Sequence, residues 1–166
     1  GYGPAWWHKA PLINARVETA AESKMFRPLW QHGRAVVMAD GWYEWKREGD
    51  KKQPYYIYQR QRQPLFFAAI GHAPYARAQE KEGFVIVTAA SDRGMVDLHD
   101  RRPLMLEADA VVEWLDPATS PERAVTLSQQ AAMDPQQFRW HPVSRAVGSP
   151  HHQQPELVEP IDDPLC

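Results

Sequence analysis

The sequence predicts a β-rich α+β domain built on a mixed or barrel-like sheet with a few flanking helices. Three observations carry that expectation. Apolar runs are short and rich in Val, Ile, Phe and Tyr; most of them follow one another without intervening helices; and fifteen prolines spread along the chain cut it into short elements. Strands in succession, rather than in alternation with helices, argue against a parallel α/β order. With 166 residues, 43% hydrophobic and seven Trp, a single globular domain with a substantial core is expected.

Leu12 to Glu18 is expected to be the first strand, with Asn14 and Arg16 on one side and Ile13, Ala15 and Val17 on the other. Thr19 to Glu22 then opens an amphipathic stretch in which Met25, Phe26, Leu29 and Trp30 recur near helical spacing, predicting a helix of about three turns. Arg34 to Ala39 reads as a buried strand, and Gly41 to Lys46 continues extended after the Asp40-Gly41 break. Glu48 to Lys52 is a polar hairpin turn with Pro54 to Tyr58 as its return strand; Pro64 to Ile70 and Phe84 to Ala89 are further strands. Leu106 to Leu115 and Pro121 to Met133 are expected to be helical, the second capped by Ser120. Phe138 to Val143 is a last extended piece, and the polar, proline-rich residues after Pro150 read as a tail.

A formal charge of -2 and a pI near 6.4 exclude a broadly basic protein, so any contact with nucleic acid must come from a local patch. The only cysteine is Cys166, which allows neither an intrachain disulfide nor a thiolate metal cluster and fits a reducing cytoplasm. No metal site or cofactor is expected: His8, His141, His151 and His152 lack ligand spacing. No run of eighteen apolar residues and no signal-like start appear, so neither membrane insertion nor export is expected. The chain opens in mid-motif without Met and is therefore expected to lack residues upstream.

Chemistry-bearing residues fall into a few groups. Asn14 and Arg16 on one strand face can hold a ligand oxygen and a phosphate together, or can simply be a solvated face. Glu44 shares its strand face with Trp42 and Lys46 and lies between Tyr43 and Trp45; apolar surroundings would raise its proton affinity, as a general acid needs, whereas pairing with Lys46 would make it an ordinary surface charge. In the segment Asp97 to Pro103, two carboxylates flank His99, and Arg101 and Arg102 offer guanidiniums to phosphate; a purely structural loop histidine is the alternative. Trp6 and Trp7 would face opposite ways on an extended segment, either as two core residues or with one free to stack on a base. Arg145 is a further basic candidate or a plain surface charge.

Taken together, Leu12 to Thr19 (LINARVET), Asp40 to Trp45 (DGWYEW), Val87 to Ala90, His99 to Pro103 (HDRRP) and Trp140 to Ser144 (WHPVS) resemble, in identity, order and spacing, the SOS-response-associated peptidase (SRAP) family. The resemblance runs over about residues 1–160, leaving 161–166 as a tail, and implies the SRAP fold lacking its N-terminal catalytic segment. In that family a cysteine following the initiator Met, within a Cys-Gly-Arg-Phe start, is exposed by self-cleavage and becomes a 1,2-aminothiol. It reacts with the ring-opened aldehyde of an abasic deoxyribose to a Schiff base, which the thiol closes to a thiazolidine. The resemblance implies that Glu44 and His99 share the proton work and that Asn14 positions the cysteine. Arg16, Lys24, Thr88 and Arg101 would hold phosphates, with Trp6 and Trp7 wedging the bases apart; at position 24 the family more often has Arg. Cys166 cannot replace the missing residue, because its α-nitrogen is tied into a peptide bond.

The function so implied is a monomeric sensor of abasic sites in single-stranded DNA that cross-links to them, with autopeptidase and abasic-site lyase behaviour and no cofactor. Two other readings stay open. A non-covalent single-stranded nucleic-acid binding module would use the Arg and Trp residues and dispense with Glu44 and His99, whereas a general peptidase would need both but not abasic DNA.

Overall fold

The computed structural model describes residues 1–2, 9–72, 83–91 and 98–161. Trp6, Trp7, His8, Asp97 and Cys166, named above, lie outside these residues. The architecture is β-rich α+β, and the described residues fall into two compact units. One comprises those of Gly1–Met38, Phe66–Ala89 and Arg102–Met133; the other those of Ala39–Leu65, Ala90–Arg101 and Asp134–Cys166.

The first unit is organised by a mixed six-stranded sheet. Strand β1 (Asn14–Arg16) runs parallel to β6 (Gly83–Ala90), β6 pairs antiparallel with β5 (Leu65–His72), and β2 (Arg34–Ala39) follows β5. Two short strands, β7 (Arg101–Pro103) and β8 (Met105–Leu106), pair with β6 and β5. Ala15, Ala68, Ile70, Val85 and Val87 present one sheet face to helices α2 (Arg27–His32), α3 (Ala110–Leu115) and α4 (Pro121–Gln130), and the enclosed cluster is the core of this unit. Trp30 and Trp114 meet there edge to face with ring centroids 5.3 Å apart. Both indole N–H groups donate to backbone carbonyls, of Pro121 at 3.2 Å and Ala35 at 2.9 Å, so two large aromatics are buried without stranding a donor.

Several elements differ from the sequence expectation. The first strand is shorter: Val17 begins a one-turn helix, α1 (Val17–Ala20), and Ile13, expected on the same side as Ala15, is 68% exposed where Ala15 is buried. The three-turn helix divides into α1 and α2. Pro28 fits only the first turn of a helix, and Ser23 Oγ accepts from the Met25 N–H in the intervening turn. Met105 and Leu106 are extended, paired with Phe67 and Phe66 of β5, so α3 starts only at Ala110; a short run buried on all sides is as compatible with a strand as with a helix. Helix α4 ends at Gln130, beyond which Met133 N–H donates to Met105 O at 2.9 Å, while Ser120 caps its start by accepting from Arg123 N–H at 3.1 Å.

The second unit is built on an antiparallel three-stranded sheet, β3 (Gly41–Glu48), β4 (Lys51–Gln59) and β9 (Phe138–Pro142). The hairpin turn is tighter than expected, two residues long, with Gly49 at φ +62°. Gly41 admits no side chain, because a Cβ there would lie 2.4 Å from Ile57 O and 2.6 Å from the Tyr56 ring. Buried Gln53 donates from Nε2 to Pro54 O and Val143 O, stitching β4 to the segment after β9. The residues after Pro150 are not a loose tail as far as Ile161. Pro155–Val158 form a 3-10 turn, His141 Nε2 donates to Val158 O at 2.7 Å, and Ile161 N–H donates to Pro142 O at 3.1 Å.

Candidate active site and phosphate contacts

In the second unit, β3 places Trp42 and Glu44 on one sheet face, two residues apart, with Tyr55 of β4 opposite Glu44. Trp42 is held edge to face against Phe138 at 5.5 Å, so the wall beside the carboxyl group is fixed by packing. Burial raises the Glu44 carboxyl above the ordinary glutamate range; the nearby His99 and the polar edge of Trp42 pull it down, and Asp100 pushes it up. No ion pair joins Glu44 to Lys46 among the described residues, so the surface-pair reading of Glu44 has no support in the structure. Sequence reasoning treated Trp42 only as a hydrophobic neighbour. That its side chain also lowers the proton affinity of Glu44 was readable in principle, since residues two apart on a strand share a face.

His99 follows buried Leu98, and Ser91 N–H donates to Asp100 O at 2.9 Å, which ties down the backbone beside it. The imidazole Nδ1 lies 3.0 Å from Arg101 N, 3.1 Å from Arg101 O and 3.1 Å from Asp100 Oδ1. The fold thus brings together an acid of raised proton affinity and an imidazole with one nitrogen already engaged. That pair can protonate a leaving oxygen and then relay protons at a carbon–nitrogen bond.

Of the other expected residues, Asn14, Arg16, Lys24, Thr88 and Arg102 lie in the first unit and Arg101 in the second. Asn14 and Arg16 are exposed on either side of buried Ala15. In the parallel ladder Arg16 is the register partner of Thr88 and Asn14 that of Ile86. Thr88 is buried, and its hydroxyl donates to Ala15 O at 3.4 Å. Lys24 is exposed in the turn between α1 and α2. Arg101 is half-buried at the start of β7, whereas Arg102 is 6% exposed, so of the two guanidiniums Arg101 is the more accessible. No group of three or more His, Cys, Asp or Glu able to hold a metal occurs among the described residues, and none of their helices is long and apolar enough to cross a membrane.

A β-rich fold with an acid–imidazole pair in one unit and a polar, basic strand edge in the other matches a defined class. A family model described as SOS response associated peptidase (SRAP) covers residues 1–150, and the chain belongs to that family. It is 58% identical over 161 residues to the abasic site processing protein YedK of Escherichia coli, covering 97% of this chain and 72% of YedK. It is 34% identical over 155 residues to the abasic site processing protein YoqW of Bacillus subtilis, covering 89% of this chain and 66% of YoqW. Among solved structures, a phage-related protein of Bordetella bronchiseptica superposes with a TM-score of 0.74 at 39% identity, over 87% of this chain and 69% of that one.

Proposed function

We propose that the protein to which this chain belongs captures abasic sites in single-stranded DNA as a covalent thiazolidine, and that this chain supplies the proton-transfer groups and the DNA contacts. The aminothiol is an N-terminal cysteine of the kind the family resemblance implies. Its α-amine adds to the C1′ aldehyde and water leaves to give an imine; the thiol then adds across the carbon–nitrogen double bond, and the nitrogen regains a proton. Glu44 protonates the ring oxygen as the sugar hemiacetal opens, and His99 relays protons as the carbinolamine loses water. Asn14 positions the cysteine, Arg16, Lys24, Thr88 and Arg101 hold phosphates, and Trp6 and Trp7 separate the bases. The same acid–base pair serves the self-cleavage that exposes the cysteine and the slow β-elimination at the abasic site. The unit of action is a monomer.

The observation that carries this reading is Glu44 itself: a partly buried carboxyl group, raised in proton affinity, with His99 near enough to act on its charge. The relatives named as abasic site processing proteins support the substrate. The test is a denaturing gel of the intact gene product with single-stranded DNA carrying one abasic site, and with the same strand unmodified. A heat-stable adduct on the abasic strand alone is expected, together with an N-terminal Cys by mass spectrometry. Binding to both strands without adduct would leave a non-covalent binding module in its place.

A further inference from the structure

We infer that Asp100 is a positioning residue for this reaction: its carboxylate holds the His99 ring with the proton on Nδ1, which leaves the Nε2 lone pair as the working base. The inference rests on the function proposed above. Nδ1 of His99 lies 3.1 Å from Asp100 Oδ1 and 3.1 Å from Arg101 O, two acceptors that require a proton on Nδ1. It also lies 3.0 Å from Arg101 N, a donor that would require Nδ1 to be bare. One ring nitrogen therefore faces both possibilities, and the tautomer depends on which partner is stronger. A carboxylate is a charge-assisted acceptor and outweighs a neutral amide donor, and the Arg101 carbonyl acts in the same sense as Asp100. The arrangement also serves the protonated ring. Once Nε2 has taken a proton, both nitrogens carry hydrogen and Nδ1 keeps the same oxygen neighbours without any turn of the imidazole.

The backbone keeps Asp100 in place: its own carbonyl accepts from Ser91 N–H at 2.9 Å, so the residue is anchored even though its side chain is 84% exposed. Glu44 feels both neighbours, His99 lowering and Asp100 raising its proton affinity. Replacing Asp100 therefore disturbs both members of the pair through charge. Among the described residues, the charged groups that bear on Glu44 are His99 and Asp100 on the segment leading into β7, with Tyr55 opposite Glu44 on β4 and Arg101 next to Asp100 at the start of β7.

The test uses the intact protein with Asp100→Ala, Asp100→Asn and Asp100→Glu, read by single-turnover cross-linking to an abasic strand, by affinity for that strand, and by 15N spectra of the His99 ring. Asp100→Ala is expected to slow cross-linking roughly 10- to 100-fold, less than loss of a buried triad aspartate because Asp100 is mostly in solvent. Affinity should stay within about twofold, and the His99 proton should move from Nδ1 to Nε2. Asp100→Glu should restore both rate and tautomer, and Asp100→Asn should restore neither fully, because it keeps an acceptor but loses the charge. An unchanged rate or an unchanged tautomer in Asp100→Ala, with the wild type forming its adduct, would overturn the inference and leave the proposed function standing. A wild type that forms no adduct would overturn both.

Discussion

Arg16 and Thr88 are register partners across the parallel ladder of β1 and β6, on the face opposite the Val85 and Val87 row that enters the core. A long cation and a hydroxyl at adjacent positions can share one phosphate, the first through charge and the second through a single hydrogen bond once the hydroxyl turns from Ala15 O to donate to it. In the intact protein, affinity for single-stranded DNA should fall with salt at a slope reflecting about three to five neutralised phosphates. Arg16→Ala and Arg101→Ala should each lower that slope by roughly one, while Thr88→Val should weaken binding at every salt concentration and leave the slope alone. Fluorescence anisotropy across a NaCl series decides it; a flat response in the wild type would mean that these cations face elsewhere.

Arg34 closes the helical layer of the first unit. Its Nε donates to Trp114 O at 2.8 Å, Nη1 to Trp30 O at 2.8 Å, and Nη2 to Asp116 O at 2.9 Å and Thr119 O at 2.8 Å, so one guanidinium satisfies carbonyls at the ends of both α2 and α3. Burial lowers the affinity of Arg34 for its proton and Asp116 opposes that, but arginine stays charged at any ordinary pH. Arg34→Met should cost about 2–4 kcal/mol of stability without changing the salt slope of DNA binding. Urea denaturation reads the first and anisotropy the second; a stability loss below about 1 kcal/mol would show that water replaces the guanidinium without penalty.

Helix α4 offers a smaller, local test. Ser120 Oγ accepts from Arg123 N–H at 3.1 Å, and Pro121 follows in the first helical turn, where its missing N–H is no loss. Ser120→Ala should cost about 1 kcal/mol and Ser120→Asp close to nothing. Equal stability of all three proteins in thermal denaturation would show that the cap contributes nothing.

These residues also show how far the sequence carries. The Ser120 cap and the strand Arg34–Ala39 were legible because both are local, one polar side chain before a proline and one short β-branched run, but the strand, expected to be buried, has no fully buried residue and Met38 is 72% exposed. The division of the expected helix into α1 and α2 was legible in Pro28 and missed because periodicity was given more weight than the proline. The extended conformation of Met105 and Leu106 was not legible, since it depends on pairing with Phe66 and Phe67, far away in sequence. At the candidate site the residue types Glu44 and His99 could be picked out, yet nothing local says that they share one unit, or that Asp100 and the backbone of Arg101 contend for one imidazole nitrogen.

Glu44 should also leave a mark on stability. Its folded-state proton affinity is raised, chiefly by burial, so the folded protein holds that proton to higher pH than the unfolded chain does. Below the ordinary glutamate range both states are protonated and there is no penalty. As pH rises from there through the raised value, the folded state must ionise a partly buried group and loses stability, and above it the loss is complete. Glu44→Gln should therefore raise the melting temperature at pH 7 by roughly 2–4 °C and give no gain near pH 4. A gain of the same size at both pH values would trace to packing instead of ionisation.

The decisive measurement on Glu44 is kinetic. Glutamine keeps the size of the side chain and an accepting carbonyl oxygen, but it cannot release or take up a proton. If the raised carboxyl group opens the sugar and feeds protons to the imine, Glu44→Gln in the intact protein should slow single-turnover cross-linking by ~10²–10⁴-fold. Affinity for abasic single-stranded DNA should stay close to wild type, because the proposed phosphate contacts lie on Arg16, Lys24, Thr88 and Arg101. The remaining rate should lose the part of its pH dependence that Glu44 contributes. His99→Gln alone should slow the reaction too, and the double variant should lose much less than the product of the two single losses, since groups that work as one relay fail together. A Glu44→Gln protein that cross-links at the wild-type rate would remove this carboxyl group from the mechanism and leave its burial as a matter of packing alone.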